Sequence, residues 1–435
     1  MDSRSRNQDS PLWDLAYAMA GGAEPRPWWA GSHHRILVAA RALAWPSRLV
    51  DVETQACRIV GDEFYERLNS ESAGMGPSQW LRALAEETGA ELRASVADGT
   101  GDWRPLWALL CGLALTVPPA DPRNETVKLA RETFPDIKDP YETVLAEAGQ
   151  AAKLLADRGL ATGIGHPADG SRPAGDPLIA SDGYGSRFLL VAPFGYEGEE
   201  ADHWYAWDID ACWLLNVVGA GVFGSAQDAL AEWQHAVGPA AGTALSPGAP
   251  DMIARLLAPC LQAGPMSDAL MGSEPCELIR EYYRLRRRAH ALVRSVGAPA
   301  SSDPHDPEPV REAFLSWYAS RHGDVPEDTA DAVGTILYEW GPEPPLDERS
   351  RYASSPHRIE MTARLIRDAY FPDHANVALR LLPEWTQWCI EQGGLSADLA
   401  ARSRAAALTE AIALVGEEKH APAAQQNEPP FRRQE

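Results

Sequence analysis

Between residues 186 and 223 the chain changes its hydrophobic period, and this constrains the fold more than any other feature. SRFLLVAPF and ADHWYAWDIDA read as two strands separated by GYEGEE, and WLLNVVGAGVF reads as a third. A helix is expected directly afterwards, from Ala226 to Val237, stopped by Gly238-Pro239. So few strands are not stable alone, so the sheet must pack against helices.

The surrounding chain carries the helical period. Expected helices in the first part are His33 to Trp45, Ser78 to Glu87, Trp103 to Leu115, and Pro140 to Arg158, the last capped by Asp139 and closed by Gly159. Residues 250–296 return to helix. Further helices are expected at Val310 to His322, Pro326 to Trp340, His357 to Tyr370, Ala375 to Gly393 and Ser396 to Glu418. The fold class is therefore α+β and predominantly α-helical, with a small antiparallel sheet at about 186–223.

Composition punctuates the layout. Residues 1–10 are polar and expected to be disordered, and 11–160 form a helical N-terminal region. The Gly/Pro-rich 161–185 is a linker, 186–240 the sheet with its helix, 241–299 helical, 300–309 a second linker, 310–418 a helical C-terminal domain, and 419–435 a disordered tail.

The chain has 435 residues, 45% of them apolar, enough to bury a real core. Its fifteen tryptophans should sit half-buried at element contacts, with their indole N–H groups seeking acceptors. A net charge of −23 opposes binding to nucleic acid and anionic lipid. The cysteines at 57, 111, 212, 260, 276 and 389 form no Cys-x-x-Cys pair. They read as small buried hydrophobes in a reducing cytoplasm. The N-terminus lacks a secretion-type apolar stretch. The longest apolar run, Leu106 to Pro119, is too short for a membrane span.

Gly219, Gly221 and Gly224 spell G-x-G-x-x-G, the turn that cradles a dinucleotide pyrophosphate. The context fails. Asp228 stands where a small packing residue is wanted, no strand follows the helix, and no acid follows that helix before Asp251. A helix capped by Ser225 with Asp228, behind a strand whose glycines serve shape, accounts for the residues better. No cofactor is expected.

In DHWYAWDID, alternation puts Asp202, Trp204, Asp208 and Asp210 on one face, and His203, Tyr205, Trp207 and Ile209 on the other. Asp208 and Asp210, with Asp202 or His203, could hold Mg²⁺ beside phosphates in a metal-dependent hydrolase or nuclease. The plainer account is an aromatic face turned inward and an acidic face turned to water. The histidines form no H-E-x-x-H, and there is no G-x-S-x-G or phosphate-binding loop.

ELIREYYRLRRRAHALVRSV holds the chain's one basic stripe. Leu278, Tyr282, Leu285, Ala289, Leu292 and Val296 share a face, and Arg280, Arg284, Arg287, Arg288 and Arg294 lie opposite. Arg280, Arg284, Arg287 and Arg288 are candidate contacts to an acidic partner. The alternatives are a solvated face or a stripe docked on the chain's own acidic groups.

LRLLPEWTQWCIEQGGLSADLAARSRAAA, with its Pro-Glu-Trp helix start and Gly-Gly break, resembles a module at the ends of hypothetical proteins from high-GC actinobacterial genomes. The block APF…DHWYAWDIDACW…GVFGSAQDALAEW is similar to proteins of the same kind. This resemblance covers about the second half of the chain and implies no activity, cofactor or catalytic residue.

These readings leave a non-catalytic interaction or regulatory protein with a protein partner as the first expectation. A metal-dependent hydrolase using Asp208 and Asp210 is the second.

Overall fold

The computed structural model describes residues 27–70, 77–99, 102–117, 140–162, 164, 171–196, 203–262, 275–297, 306–341 and 346–418. Both termini, Asp202 and positions 300–305 of the second linker lie outside them. The observed class is α+β, mostly α, with an antiparallel sheet packed between helices.

Five helices open the described chain: α1 (Pro27–Ala42), α2 (Leu49–Ser70), α3 (Pro77–Asp98), α4 (Arg104–Thr116) and α5 (Pro140–Asp157). The apolar run of Leu106 to Leu115 makes α4 their buried centre. Its neighbours contribute Ile36, Val52, Trp80, Leu84, Val144 and Leu155 to the same core. Helix α2 crosses so close that a Cβ on Gly112 would lie 2.3 Å from Ala56 Cβ, so glycine sets the separation. Sequence reading did not single out α2, whose apolar stripe is interrupted by Asp51, Glu53 and Thr54.

The sheet follows, with β1 (Arg172–Pro173), β2 (Leu178–Ser181), β3 (Arg187–Gly195), β4 (His203–Asp210), β5 (Asn216–Phe223) and, after helix α6 (Ala226–Val237), β6 (Ser246–Pro247). Its order is β5-β4-β3-β2-β6, with β1 also on β3 and every pairing antiparallel. β1 and β2 fall in the stretch expected as linker, because such short strands among prolines and glycines leave no alternation to read.

Both faces of the sheet are covered. Phe188, Leu190, Tyr205, Trp207 and Ile209 pack on helices α7 (Pro250–Gln262) and α8 (Pro275–Val296). Leu189, Val191 and Ala206 pack beneath Ala229, Leu230 and Trp233 of α6. The expected water-facing side of β4 is thus roofed by a helix, which the unbroken apolar run of β3 already implied. Gly219 and Gly221 lie inside β5, opposite Asp208 and Ala206. Ser225 caps α6 by accepting from Asp228 N. The glycines belong to an antiparallel strand and make no dinucleotide turn.

The C-terminal helices are α9 (Glu308–His322), α10 (Glu327–Glu339), the single turn α11 (Glu348–Arg351), α12 (Pro356–Ala369), α13 (Pro372–Gly393) and α14 (Ala397–Glu418). Phe314, Ile336, Trp340, Ile366, Leu382, Trp385 and Trp388 fill their core. Pro383-Glu384-Trp385 is not a helix start: Pro383 sits inside α13. The buried Leu379, Leu382 and Trp385 hold the helix through the hydrogen bond that proline forfeits. Gly394, at φ +60°, closes α13 in the left-handed conformation.

Candidate functional site

The carboxylates of β4 do not converge on a shared ion site. Asp208 is buried, with Oδ1 accepting from Arg187 Nε at 2.8 Å and from Trp233 Nε1 at 3.0 Å, and Oδ2 from Arg187 Nη2 at 2.5 Å. Both oxygens are engaged by a guanidinium and an indole beneath α6, and this corrects its role as a Mg²⁺ ligand. Asp210 turns to other partners. His203 opens β4 opposite Phe194, and Asp202 lies outside the described residues. Asp208→Asn should lower unfolding stability by about 1.5–3 kcal/mol, the scale of hydrogen bonds to a charged group. Urea denaturation with and without Mg²⁺ should return the same loss.

Three of the described arginines of α8 are buried, while Arg294 is exposed. Arg284, Arg287 and Arg288 are 2%, 8% and 1% exposed. Arg288 Nη2 donates to both oxygens of Glu53, at 2.6 and 2.5 Å, and Glu53 also accepts from the Tyr196 hydroxyl at 2.6 Å. Arg284 donates to Thr54 Oγ1 at 2.8 Å and to Glu281, one turn back on its own helix. Arg287 Nη1 donates to the Ala114 and Val117 carbonyls. The Arg288 guanidinium also lies over Phe194, Tyr196 and Tyr205, at 5.1 to 5.8 Å from the ring centres. The expected partner-binding role of these three is therefore corrected: their charge joins α8 to α2 and α4, and the side chain of Arg280 lies outside the described residues. What hides the outcome from the sequence is Glu53, a buried carboxylate in the helix that carries no clear stripe.

At the end of β4 the chain turns, and Cys212 N donates to Asp210 Oδ1 at 2.6 Å. The start of α12 meets this turn. Ser355 caps α12, and its hydroxyl lies 3.5 Å from Cys212 Sγ. His357 Nε2 lies 3.3 Å from Asp210 Oδ2. Burial works against the charge on Asp210, but hydrogen bonds from His357 and Cys212 outweigh it and hold the carboxyl below its usual range. The hydrogen bond to Asp210 raises His357 above the ordinary imidazole value. Burial, then the Asp210 charge, pushes the Cys212 thiol up to about 12. The group has the composition of a metal-ligand set. Sequence reading reached Asp210 but not Cys212 or His357, because the pairing spans more than 140 residues and has no local motif.

A second feature lies on the C-terminal helices. Tyr338 and Phe371 are 70% and 84% exposed. Next to Phe371 in the chain, Tyr370 donates its hydroxyl to the buried Glu339, the neighbour of Tyr338, at 3.1 Å and packs 5.7 Å from the ring of His374, which bonds Thr335 Oγ1 at 2.5 Å. Burial and the neighbouring Glu339 charge push Tyr370 up to about 12. Asp368 and Asp373 are exposed on either side of Phe371 in the chain. Phe371 and Tyr338 stand off the helical stripe, so periodicity does not reveal them.

No helix among the described residues is long and apolar enough to cross a membrane. The chain matches no protein-family model, no curated protein and no solved structure.

Proposed function

We propose that this chain is a non-catalytic interaction or regulatory protein of the cytoplasm, and that it meets a basic protein partner through the surface around Tyr338 and Phe371. One observation carries the reading: two large aromatic side chains stay 70% and 84% exposed beside a firmly hydrogen-bonded Tyr370 and Glu339. Aromatic rings held on a rigid base supply contact area at little cost in entropy, and they are enriched where proteins bind. The exposed Asp368 and Asp373 and the net charge of −23 favour a cationic partner. Lysine or arginine can also stack on the rings. Cys57, Cys111, Cys212 and Cys389 are buried free thiols, which supports a reducing compartment. The buried arginines and the engaged Asp208 count against the α8 stripe and the paired-aspartate hydrolase as alternatives.

A random-peptide display panned on the full chain tests it. Selected peptides should combine Lys or Arg with an aromatic or aliphatic anchor, and should bind the Tyr338→Ser/Phe371→Ser double variant at least tenfold more weakly. That variant should keep its stability within about 0.5 kcal/mol per site, as surface substitutions do. Equal binding to the variant, or peptides without basic residues, would sink the reading.

A further inference from the structure

Among the described residues, three side chains able to ligate a metal converge at one place: Asp210, Cys212 and His357, with donor atoms all within 4.8 Å of one another. We propose that this group is a binding site for a zinc-class divalent cation, held through one Asp210 oxygen, Cys212 Sγ and His357 Nε2, with a fourth position left for water or an exogenous ligand.

Chemistry selects the class of ion. A thiolate, an imidazole and a carboxylate make a mixed S/N/O set that suits Zn²⁺ and its neighbours, whereas Mg²⁺ and Ca²⁺ take oxygen alone. Zinc bonds of about 2.0–2.3 Å in a tetrahedron place neighbouring donors roughly 3.3–3.8 Å apart. Asp210 Oδ2 and His357 Nε2 already stand 3.3 Å apart. Closing the rest of the group needs a shift of no more than about 1 Å from its 4.8 Å limit. His357, with 57% of its side chain exposed, is free to make that shift and also puts the site at the protein surface. Cys212 supplies the sulfur from within.

Charge is consistent with the choice. A dication with one carboxylate and one thiolate is neutral overall. That suits a half-buried place where the start of α12 favours anionic ligands and the nearby guanidinium of Arg358 disfavours uncompensated positive charge. On binding, the Cys212 S–H bond breaks, a metal–sulfur bond forms and the proton leaves to solvent. His357 ligates through Nε2 as a neutral imidazole with its one ring proton on Nδ1, any second proton leaving to solvent, and Asp210 exchanges the His357 contact for the ion. The ion would thereby fasten the end of β4 to the start of α12, the two segments that meet between Cys212 and Ser355 across 143 residues.

Titration of the tag-free, chelator-treated full chain with Co²⁺ tests the assignment. One equivalent should produce thiolate-to-cobalt charge-transfer absorption and the visible bands of a tetrahedral ion, and Zn²⁺ should erase both. Cys212→Ser should abolish the charge-transfer band, and either Cys212→Ser or His357→Ala should weaken binding at least 100-fold, while Cys57→Ser changes neither. His357 is a surface residue, so His357→Ala decides the matter even if Cys212→Ser fails to fold. Absence of the bands overturns the site, and so does cobalt affinity that survives His357→Ala. His357→Ala should leave peptide binding at Phe371 unchanged, so failure of either idea is separable from the other.

Discussion

Arg288→Met should cost about 3–5 kcal/mol of unfolding free energy, the range for breaking a buried ion pair from one side. Glu53, 0% exposed, would lose its hydrogen-bonding guanidinium and keep the Tyr196 hydroxyl as its one remaining donor among the described residues. The rings of Phe194 and Tyr196 would lose their cation as well, while Tyr205 keeps Arg284 at 5.7 Å. Arg288→Lys should recover only part of the loss, since a compact ammonium does not lie flat over the Phe194, Tyr196 and Tyr205 rings as the planar guanidinium does. Glu53→Leu with Arg288→Met should regain most of the loss, because the desolvation penalty of the pair disappears along with its attraction. Urea denaturation of the four members of this cycle measures the coupling. A single Arg288→Met variant within about 1 kcal/mol of the parent would contradict the argument, which rests on penalties of several kcal/mol for a lone buried ion.

The second large effect is expected at Arg358. This guanidinium is 0% exposed and faces no carboxylate partner among its hydrogen bonds. Nη1 donates to the Ser350 and Ala353 carbonyls at 2.7 and 3.0 Å, and Nη2 to the Ala211 carbonyl at 2.5 Å. Burial draws its pKa below the ordinary arginine range, but three carbonyl dipoles hold the charge. Arg358→Met should therefore strand the Ala353 and Ala211 carbonyls, each costing about 1–3 kcal/mol, while the Ser350 carbonyl keeps the Ala353 N–H. Hydrogen exchange should localise the damage to residues 211–215 and 350–358. Gly341 packs against the same group, where an added Cβ would lie 3.2 Å from Cζ, so Gly341→Ala should cause a milder version of the same loosening. Because Ala211 lies between Asp210 and Cys212, and His357 precedes Arg358, the clamp also sets the two halves of the cobalt-binding group facing each other. Exchange confined elsewhere, or an unchanged urea midpoint, would count against it.

What could be read before folding was whatever repeats locally. The periods of α4, α6 and α13, the strands at β3 to β5 and the Ser225 cap follow from neighbouring residues, and the structure returns them with ends moved by a few positions. Glycines 219 and 221 were also readable as shape, since a dinucleotide turn demands context that residues 224–251 lack. Partnership at a distance was not readable. Nothing near Arg288 announces Glu53, nothing near Asp210 announces His357, and the charge pattern of α8 alone cannot distinguish a solvated stripe from one docked internally. Asp208 and Asp210 look equivalent in sequence. Both keep unbroken register with β3, but Asp208 meets Arg187 and Trp233 of α6, whereas Asp210 ends the strand and meets His357 at the start of α12.

The 235 positions between Glu53 and Arg288 also set a timetable. A ribosome working at about 5–20 residues per second delivers the guanidinium roughly 10–50 s after the carboxylate. Throughout that interval the nascent N-terminal helices lack the guanidinium that hydrogen-bonds Glu53. Complete closure of the first bundle thus belongs to the second half of translation.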